Sequence, residues 1–271
     1  MANIICFFTS TKENLKKSIV FLKFIKKAIV NLSVDVGNTR VKAAVFEEDK
    51  LIELFVFDKK ILLSKVKEIL KKYVITNGIL SSVALISEFE LQKLHEIVSF
   101  TVVSSQTKVP FTNTYATPLT LGVDRIALIV AAKKEFPQKN VLVIDAGTCL
   151  TFDFIDKEAT YRGGAISLGL KMRYASLNQF TAKLPLLEVQ TPIDFIGNST
   201  NESIHVGVVN GLLSEIEGVI SRYEKKFLDL TVVLTGGDVN FLSKQLKSSI
   251  FANQNFLLYG LNEILIFNKS K

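Results

Sequence analysis

The sequence predicts an α/β protein built from two similar domains that face each other across a cleft, and three observations carry that prediction. Strand-like apolar runs alternate with amphipathic helical stretches from residue 30 onward. The same order of elements begins again near Asn140. Each half also carries one short turn motif at the end of a buried strand, Asp35-Val36-Gly37-Asn38-Thr39 and Asp145-Ala146-Gly147-Thr148-Cys149, 110 positions apart. A chain of 271 residues, 48% of them hydrophobic, is long and apolar enough to fill two cores. The expected division is an extension over residues 1–29, a first domain over 30–118 and a second over 119–271.

The elements follow in order. Ile29 to Val36 reads as a buried strand running into Gly37-Asn38, a turn pair that tolerates positive φ. Val41 to Phe46 and Leu51 to Phe57 supply the next two strands, separated by the polar turn Glu47-Glu48-Asp49. Leu62 to Tyr73 has helical spacing, Gly78 to Val83 reads as a short strand, Glu88 to Val98 as a helix and Phe100 to Val103 as a strand. Ser104 to Thr120, rich in Ser, Thr, Pro and Asn, reads as a loop crossing a surface or cleft. After a helix over Gly122 to Phe136, strands are expected at Val141 to Ile144, Cys149 to Ile155 and Tyr161 to Ile166. Helices at Leu170 to Phe180 and Thr200 to Tyr223, a strand at Thr231 to Leu234, the turn Thr235-Gly236-Gly237-Asp238 and a helix from Phe241 complete the pattern.

Composition excludes several function classes. Of the net charge of +7, residues 1–30 hold +5 (six lysines against Glu13), which leaves +2 for the rest and no basic stripe with interleaved aromatics for nucleic acid. Ile19 to Ile29 is too short and too interrupted by lysine to span a bilayer, and no cleavage site for a signal peptide follows it. Residues 1–29 read as disordered, as a basic amphipathic helix or, the favoured reading, as upstream sequence translated from a misplaced start. Cys6 and Cys149 have no zinc spacing and fit a reducing, cytoplasmic setting. Cys149 is expected as a small buried residue entering a strand, and neither it nor His95 nor His205 is given a role.

A strand that ends in Asp and turns on Gly suits a nucleotide. The glycine lets backbone N–H groups approach phosphate oxygens, and the carboxylate stands ready for a metal or its waters. One such motif is ordinary turn chemistry; two at matching places in a repeated fold point to phosphate binding, with Thr39 and Thr148 adding hydroxyl donors. The Thr235-Gly236-Gly237-Asp238 turn adds a place where a flat nucleoside can approach closely. Together the three describe the actin-like ATPase plan, two ribonuclease H-like domains around a nucleotide cleft, with no P-loop or dinucleotide fingerprint competing.

At this point a specific resemblance appears, covering roughly residues 31–265. Asp35-Val36-Gly37-Asn38-Thr39-Arg40-Val41-Lys42 resembles the D-x-G-N-T-x-x-K signature of type III pantothenate kinases. Leu121-Gly122-Val123-Asp124-Arg125 resembles that family's L-G-x-D-R, preceded by Tyr115 and Pro118, and Asp145-Ala146-Gly147-Thr148 resembles its second phosphate motif. Gly163-Gly164-Ala165-Ile166 with Gly169, Thr181-Ala182-Lys183-Leu184-Pro185, and Gly197 to Ile204 with Gly207 and Gly211 follow in family order. Leu168 departs from the pattern, standing where the family usually has proline.

The resemblance implies phosphorylation of pantothenate by ATP, and with it a set of roles. Residues Asp35, Val36, Gly37, Asn38, Thr39, Arg40, Val41 and Lys42, together with Thr148, would hold ATP. Asp124 would act as general base toward the primary hydroxyl of pantothenate, and Arg125 would meet its carboxylate through paired hydrogen bonds. Tyr115, Gly122, Val123 and Thr200 would complete the substrate site. Asp145 would bind a monovalent cation, potassium or ammonium, and Asp35 would face the magnesium carried with ATP. The resemblance also implies a homodimer, with no nucleic-acid or membrane partner. From the residues alone, Asp124 could instead be a helix N-terminal carboxylate and Arg125 could pair with a neighbouring acid. Two other readings of the chain are a sugar or acetate kinase of the same superfamily and a nucleotide-binding regulator that transfers nothing.

Overall fold

The structure, a computed structural model, describes residues 29–82 and 86–269. The extension expected over residues 1–29 lies outside the described residues, except that Ile29 opens the first strand. Strands β1 (Ile29–Val36), β2 (Val41–Glu47) and β3 (Lys50–Phe57) lead to helix α1 (Leu62–Lys72), strand β4 (Val74–Ser82), helix α2 (Glu88–Ile97) and strand β5 (Phe100–Val102). They form one sheet in the order β3-β2-β1-β4-β5. The second half repeats it. Strands β7 (Asn140–Ala146), β8 (Cys149–Ile155), β9 (Thr160–Leu168), β10 (Leu230–Thr235) and β11 (Phe251–Ala252) stand in the corresponding order β9-β8-β7-β10-β11. In both sheets the first three strands pair antiparallel and the last two add in parallel. A two-residue strand β6 (Thr112–Asn113), within the expected loop, extends the second sheet beyond β9.

Local chemistry explains where the helices begin. Ser87 caps α2 and Glu90 reaches back to the Ser87 backbone, a capping box that satisfies two otherwise orphaned N–H groups. Leu62, Val66 and Ile69, spaced to share one face of α1, are buried against the first sheet, each contributing about 1.5–3 kcal/mol relative to exposure.

Helices α3 (Val123–Glu135) and α8 (Phe256–Lys269) lie between the two sheets. Strand alternation decides what they meet. Val30, Leu32, Val34 and Val36 face the outer core with α1 and α2, so Asn31, Ser33 and Asp35 face inward. Likewise Leu142, Ile144 and Ala146 face outward, and Val141 and Val143 face α3 with Asp145. The two sheets therefore present Asp35 and Asp145 on their inner faces. α8 also reaches the first sheet: Asn262 donates to the Glu48 carbonyl (2.7 Å) and accepts from Asn31 (3.1 Å).

Helices α4 (Leu170–Gln179), α5 (Thr200–His205), α6 (Gly211–Lys226) and the single turn α7 (Val239–Leu242) cover the outer face of the second sheet. The helix expected over Thr200 to Tyr223 is interrupted by a wide π turn at Val206–Asn210. Its buried positions, Ile204, Val208, Leu212, Ile216 and Ile220, recur every four residues. On a regular α-helix that spacing drifts by about 40° per step, and the wide turn takes up part of the drift. The helix expected from Phe241 is only the turn α7, and α8 has no counterpart among the expected elements. Leu168 ends β9 opposite Cys149, and its carbonyl accepts from Arg173 Nε at 3.0 Å.

Candidate active site

Both Asp-Gly motifs sit at strand-to-hairpin turns. Asp35, next to last in β1, lies opposite Lys42 on β2 and Ser81 on β4, and its Oδ1 accepts from Ser81 Oγ at 2.8 Å. The Gly37 N–H closes the hairpin on the Arg40 carbonyl at 3.2 Å; a β-carbon there would lie 3.1 Å from that oxygen, so closeness and not positive φ is what glycine supplies. Asn38, Thr39 and Arg40 are exposed at the tip, with Val41 buried behind them. Lys42 Nζ donates to the Gln254 carbonyl (3.2 Å), which ties the first hairpin to the loop before α8.

The second hairpin has a tighter frame. Gly147 N–H donates to the Cys149 carbonyl (3.0 Å), and Thr148 is exposed at the tip. Cys149 is exposed as well, against the expectation of burial, because the hairpin lifts the first residue of β8 out of the core. Two other glycines press on this turn. A β-carbon at Gly169 would stand 2.2 Å from the Thr148 carbonyl oxygen, and one at Gly236 would stand 2.4 Å from both the Ala146 carbonyl and Asp145 Oδ1. Gly236 has φ +100°, the left-handed region that favours glycine, and the following Asp238 N–H donates to the Ala146 carbonyl at 3.0 Å.

Asp124 enters from the first turn of α3, the helix between the sheets. Its Oδ1 accepts from the Arg125 N–H at 2.8 Å, and a side chain at the N-cap, Gly122, would crowd that oxygen. Arg125 turns the other way and is buried, its Nε and Nη2 bonded to Asp153 at 2.7–3.1 Å and its Nη2 to the Tyr161 hydroxyl at 2.9 Å. Tyr115 lies beneath the guanidinium, 5.5 Å from its ring centroid, and stacks on Tyr161 at 6.0 Å. Thr200 stands exposed at the start of α5, where Ser199 supplies the cap; no hydrogen bond or ring contact among the described residues joins it to Tyr115 or Asp124.

Electrostatics bring three carboxylates together. Burial pushes Asp35 up to about 6, with the bond from Ser81 and the charge of Lys42 opposing and the charge of Asp124 adding. Burial pushes Asp145 up to about 7, with Asp124 and Asp35 adding and Lys42 opposing. Each carboxylate feels Asp124, so the two strand ends and the helix start converge on one negative pocket. Burial works against the charge of Arg125, but the bonds and charge of Asp153 more than offset it and hold the guanidinium protonated.

The residues fit a cation bound with help from water and ligand oxygens. Asp145 faces the cleft with the charge of Lys42 opposing its burial, and among the described residues Thr151 Oγ1, opposite Asp145 in register, is buried without a hydrogen-bond partner. Among the described residues no three His, Cys, Asp or Glu side chains group to hold an ion by themselves. That donor set suits a hard ion that keeps much of its own oxygen shell.

Sequence reasoning missed Ser81, Asp153, Tyr161 and Gln254. Asp153 had a legible signal, an acid inside the apolar run Leu150 to Ile155. The others depend on pairing between distant strands. A cavity of about 360 Å³ lined by Thr101, Ser104, Gln106, Thr107, Lys108 and Asn268 opens beside β5 and contains none of the motif residues.

A family model described as type III pantothenate kinase matches residues 31–222. Type III pantothenate kinases from Christiangramia forsetii and Flavobacterium johnsoniae are 48% and 47% identical to the chain, over 89% and 86% of it and 100% and 96% of their own lengths. One from Bacteroides fragilis is 40% identical over 89% of the chain and 100% of its own length. Among solved structures, a Campylobacter jejuni protein described as a Baf family transcriptional activator superposes with a TM-score of 0.58 at 20% identity, covering 89% of this chain and all of that one. The activator of 2-hydroxyisocaproyl-CoA dehydratase from Clostridium difficile, with bound ADPNP, gives 0.51 at 10% identity over 90% of this chain and 98% of its own. These likenesses establish the two-domain actin-like ATPase fold.

Proposed function

The chain belongs to the type III pantothenate kinase family, and on that footing we propose that it uses ATP to phosphorylate the primary hydroxyl of pantothenate. The product is 4'-phosphopantothenate, and the reaction is the first step of coenzyme A biosynthesis. The observation that carries the reading is the convergence of Asp35, Asp145 and Asp124 from two sheets and the helix between them. Phosphoryl transfer asks a protein mainly for positioning and charge stabilisation, and a pocket assembled from both domains does both when it closes.

In this reading ATP phosphates lie over the two hairpins, Asp35 to Lys42 and Thr148, and Lys42 exchanges the Gln254 carbonyl for a phosphate oxygen. Asp124 accepts the proton of the attacking hydroxyl. Arg125 meets the pantothenate carboxylate, with Tyr115, Gly122, Val123 and Thr200 lining the rest of the acceptor site. Because Asp153 already occupies Nε and Nη2, the carboxylate shares the guanidinium through Nη1. A divalent metal accompanies ATP in kinases of this fold; Asp35 would face it as magnesium, and Asp145 would hold a monovalent cation, potassium or ammonium. Bound cations screen the charge that accumulates on the phosphates.

The two domains are taken as 30–118 and 119–271, with β6 and α8 crossing between them. No helix among the described residues is long and apolar enough to cross a membrane. A cytoplasmic enzyme acting as a homodimer is part of the proposed reading. Exposed Phe180, Leu186, Ile193, Phe195 and Ile196, in the segment that leads to Thr200, support self-association.

The test is ADP release by the purified protein with ATP and magnesium, offering pantothenate, several sugars or acetate, with and without potassium or ammonium. Turnover that requires pantothenate and a monovalent cation is expected. Turnover on a sugar or acetate instead, or ATP binding without transfer to any acceptor, would overturn the proposal.

A further inference from the structure

Arg125 is held by more than an ion pair. Asp153 is fully buried on β8 and engages Nε and Nη2 together, and the buried Tyr161 hydroxyl donates to Asp153 Oδ1 (2.6 Å) while accepting from Nη2. None of these bonds uses Nη1. A guanidinium gripped along one edge at three points cannot rotate, and Tyr115 supports its face.

The sheet is irregular where it makes this grip possible. From Cys149↔Leu168 to Phe154↔Gly163 the β8–β9 pairing is regular, and then Ile155 faces Tyr161, which leaves Arg162 as the extra residue of a bulge. Without the bulge Arg162 would stand on the inner face beside Asp153. With it, Tyr161 takes that place and Arg162 reaches outward to Asp156 (2.7 Å). The glycine pair at the bulge has a matching use. Gly163, at φ +96°, lies 3.4 Å from the Tyr115 ring at its β-carbon position, and Gly164 is the residue directly opposite Asp153, where any side chain would strike the Phe152 carbonyl.

We propose that Asp153 and Tyr161 are positioning residues for the acceptor: they fix Arg125 so that Nη1 is presented to an acceptor carboxylate. The bulge at Arg162, beside the Gly163-Gly164 pair, builds that arrangement. The proposal rests on the reading of Arg125 as the carboxylate's ligand, and it assigns selectivity for an anionic acceptor to two residues outside the substrate-binding motif.

The experiment compares pantothenate with its neutral primary amide as acceptors, using wild type, Tyr161→Phe, Arg125→Lys and the double variant, with circular dichroism melts on each. Tyr161→Phe keeps the ring contacts and removes only the hydroxyl. We expect it to raise KM for pantothenate about tenfold, leave KM for ATP unchanged, and narrow the acid-to-amide ratio of kcat/KM by a similar factor. Arg125→Lys is expected to narrow that ratio at least as far, and adding Tyr161→Phe to it should change little more, because both act through one guanidinium. If Arg125→Lys changes the ratio and Tyr161→Phe does not, the positioning role fails while the carboxylate reading stands. If neither changes it, the carboxylate reading itself fails. An equal loss with acid and amide after Tyr161→Phe would show a purely structural role. Asp153→Asn is a second probe with the same expectation; should it not fold, Tyr161→Phe decides.

Discussion

Asp124 is one residue from a buried arginine and yet points the other way, and that split follows from its place at a helix start. Side chains at successive helical positions diverge by about 100°, so Arg125 is taken by β8 and Asp124 is left to the cleft. Asp124→Asn keeps the shape and the backbone contact but removes the proposed base. Turnover should fall by about two to four powers of ten while ATP affinity, read by nucleotide titration, holds. Asp35 and Asp145 carry a second residue-scale prediction. Their carboxyls titrate at about 6 and about 7 in the folded chain against 3.8 ordinarily, so between those values the folded protein binds more protons than the unfolded one. Stability present below pH 4 is therefore lost as pH rises through 6 and 7. The ligand-free protein, in potassium-free buffer, should melt at a lower temperature at pH 8 than at pH 5. Asp145→Asn should remove much of that difference, on the order of 3 kcal/mol, and so stabilise the inactive protein at pH 8. A flat melting profile in wild type from pH 5 to pH 8 would refute it.

Two glycines in helices separate what an element needs from what its contacts forbid. Gly218 lies exposed in α6, and a β-carbon there would meet nothing within 4 Å, whereas one at Gly260 in α8 would stand 1.9 Å from the Ala127 carbonyl of α3. Gly218→Ala should gain about 0.5–1 kcal/mol from helix propensity alone. Gly260→Ala should lose about 1–3 kcal/mol or more, because α3 and α8 must part between the sheets. Urea unfolding of the two variants gives both signs in one experiment. The same pair shows how much could be read from the chain. Strands β1 to β3 and β7 to β9 were legible because period-two alternation and Asp-Gly turns are local signals, and so were the glycine turns at Gly37, Gly147 and Gly236. Helix α8 was not: packed between the first sheet and α3, it is apolar on nearly every side and shows no amphipathic stripe between Phe256 and Leu265. β6 is two residues whose only signal is its partner β9, and the grip of Asp153 and Tyr161 on Arg125 depends on a bulge that no local pattern announces. The candidate site was thus legible where single turns build it, and hidden where pairing across distant strands does.

At the scale of the molecule, the layer that brings the three carboxylates together is also the layer between the two sheets. Asp35 belongs to one sheet, Asp145 to the other, Asp124 to the helix between, and Lys42 reaches across to Gln254 at the foot of α8. A site assembled this way depends on how the second domain is held, and its outer segment gives a clue. Between α4 and α5 the chain runs 20 residues without regular structure, and Phe180, Leu186, Ile193, Phe195 and Ile196 are each more than 60% exposed along it. So many large apolar groups in one stretch, ending at the Ser199 cap and Thr200, are costly in water and are covered in the proposed homodimer. Light scattering at micromolar concentration should give twice the chain mass for wild type. Ile193→Asp combined with Phe195→Asp should give the single-chain mass with the melting temperature of the domain core little changed, since neither side chain packs inside. If Thr200 is a pantothenate contact ordered by that interface, the same double variant should raise KM for pantothenate severalfold and leave nucleotide affinity intact. A monomeric wild type that turns over normally would remove the dimer from the account, and Thr200 with it.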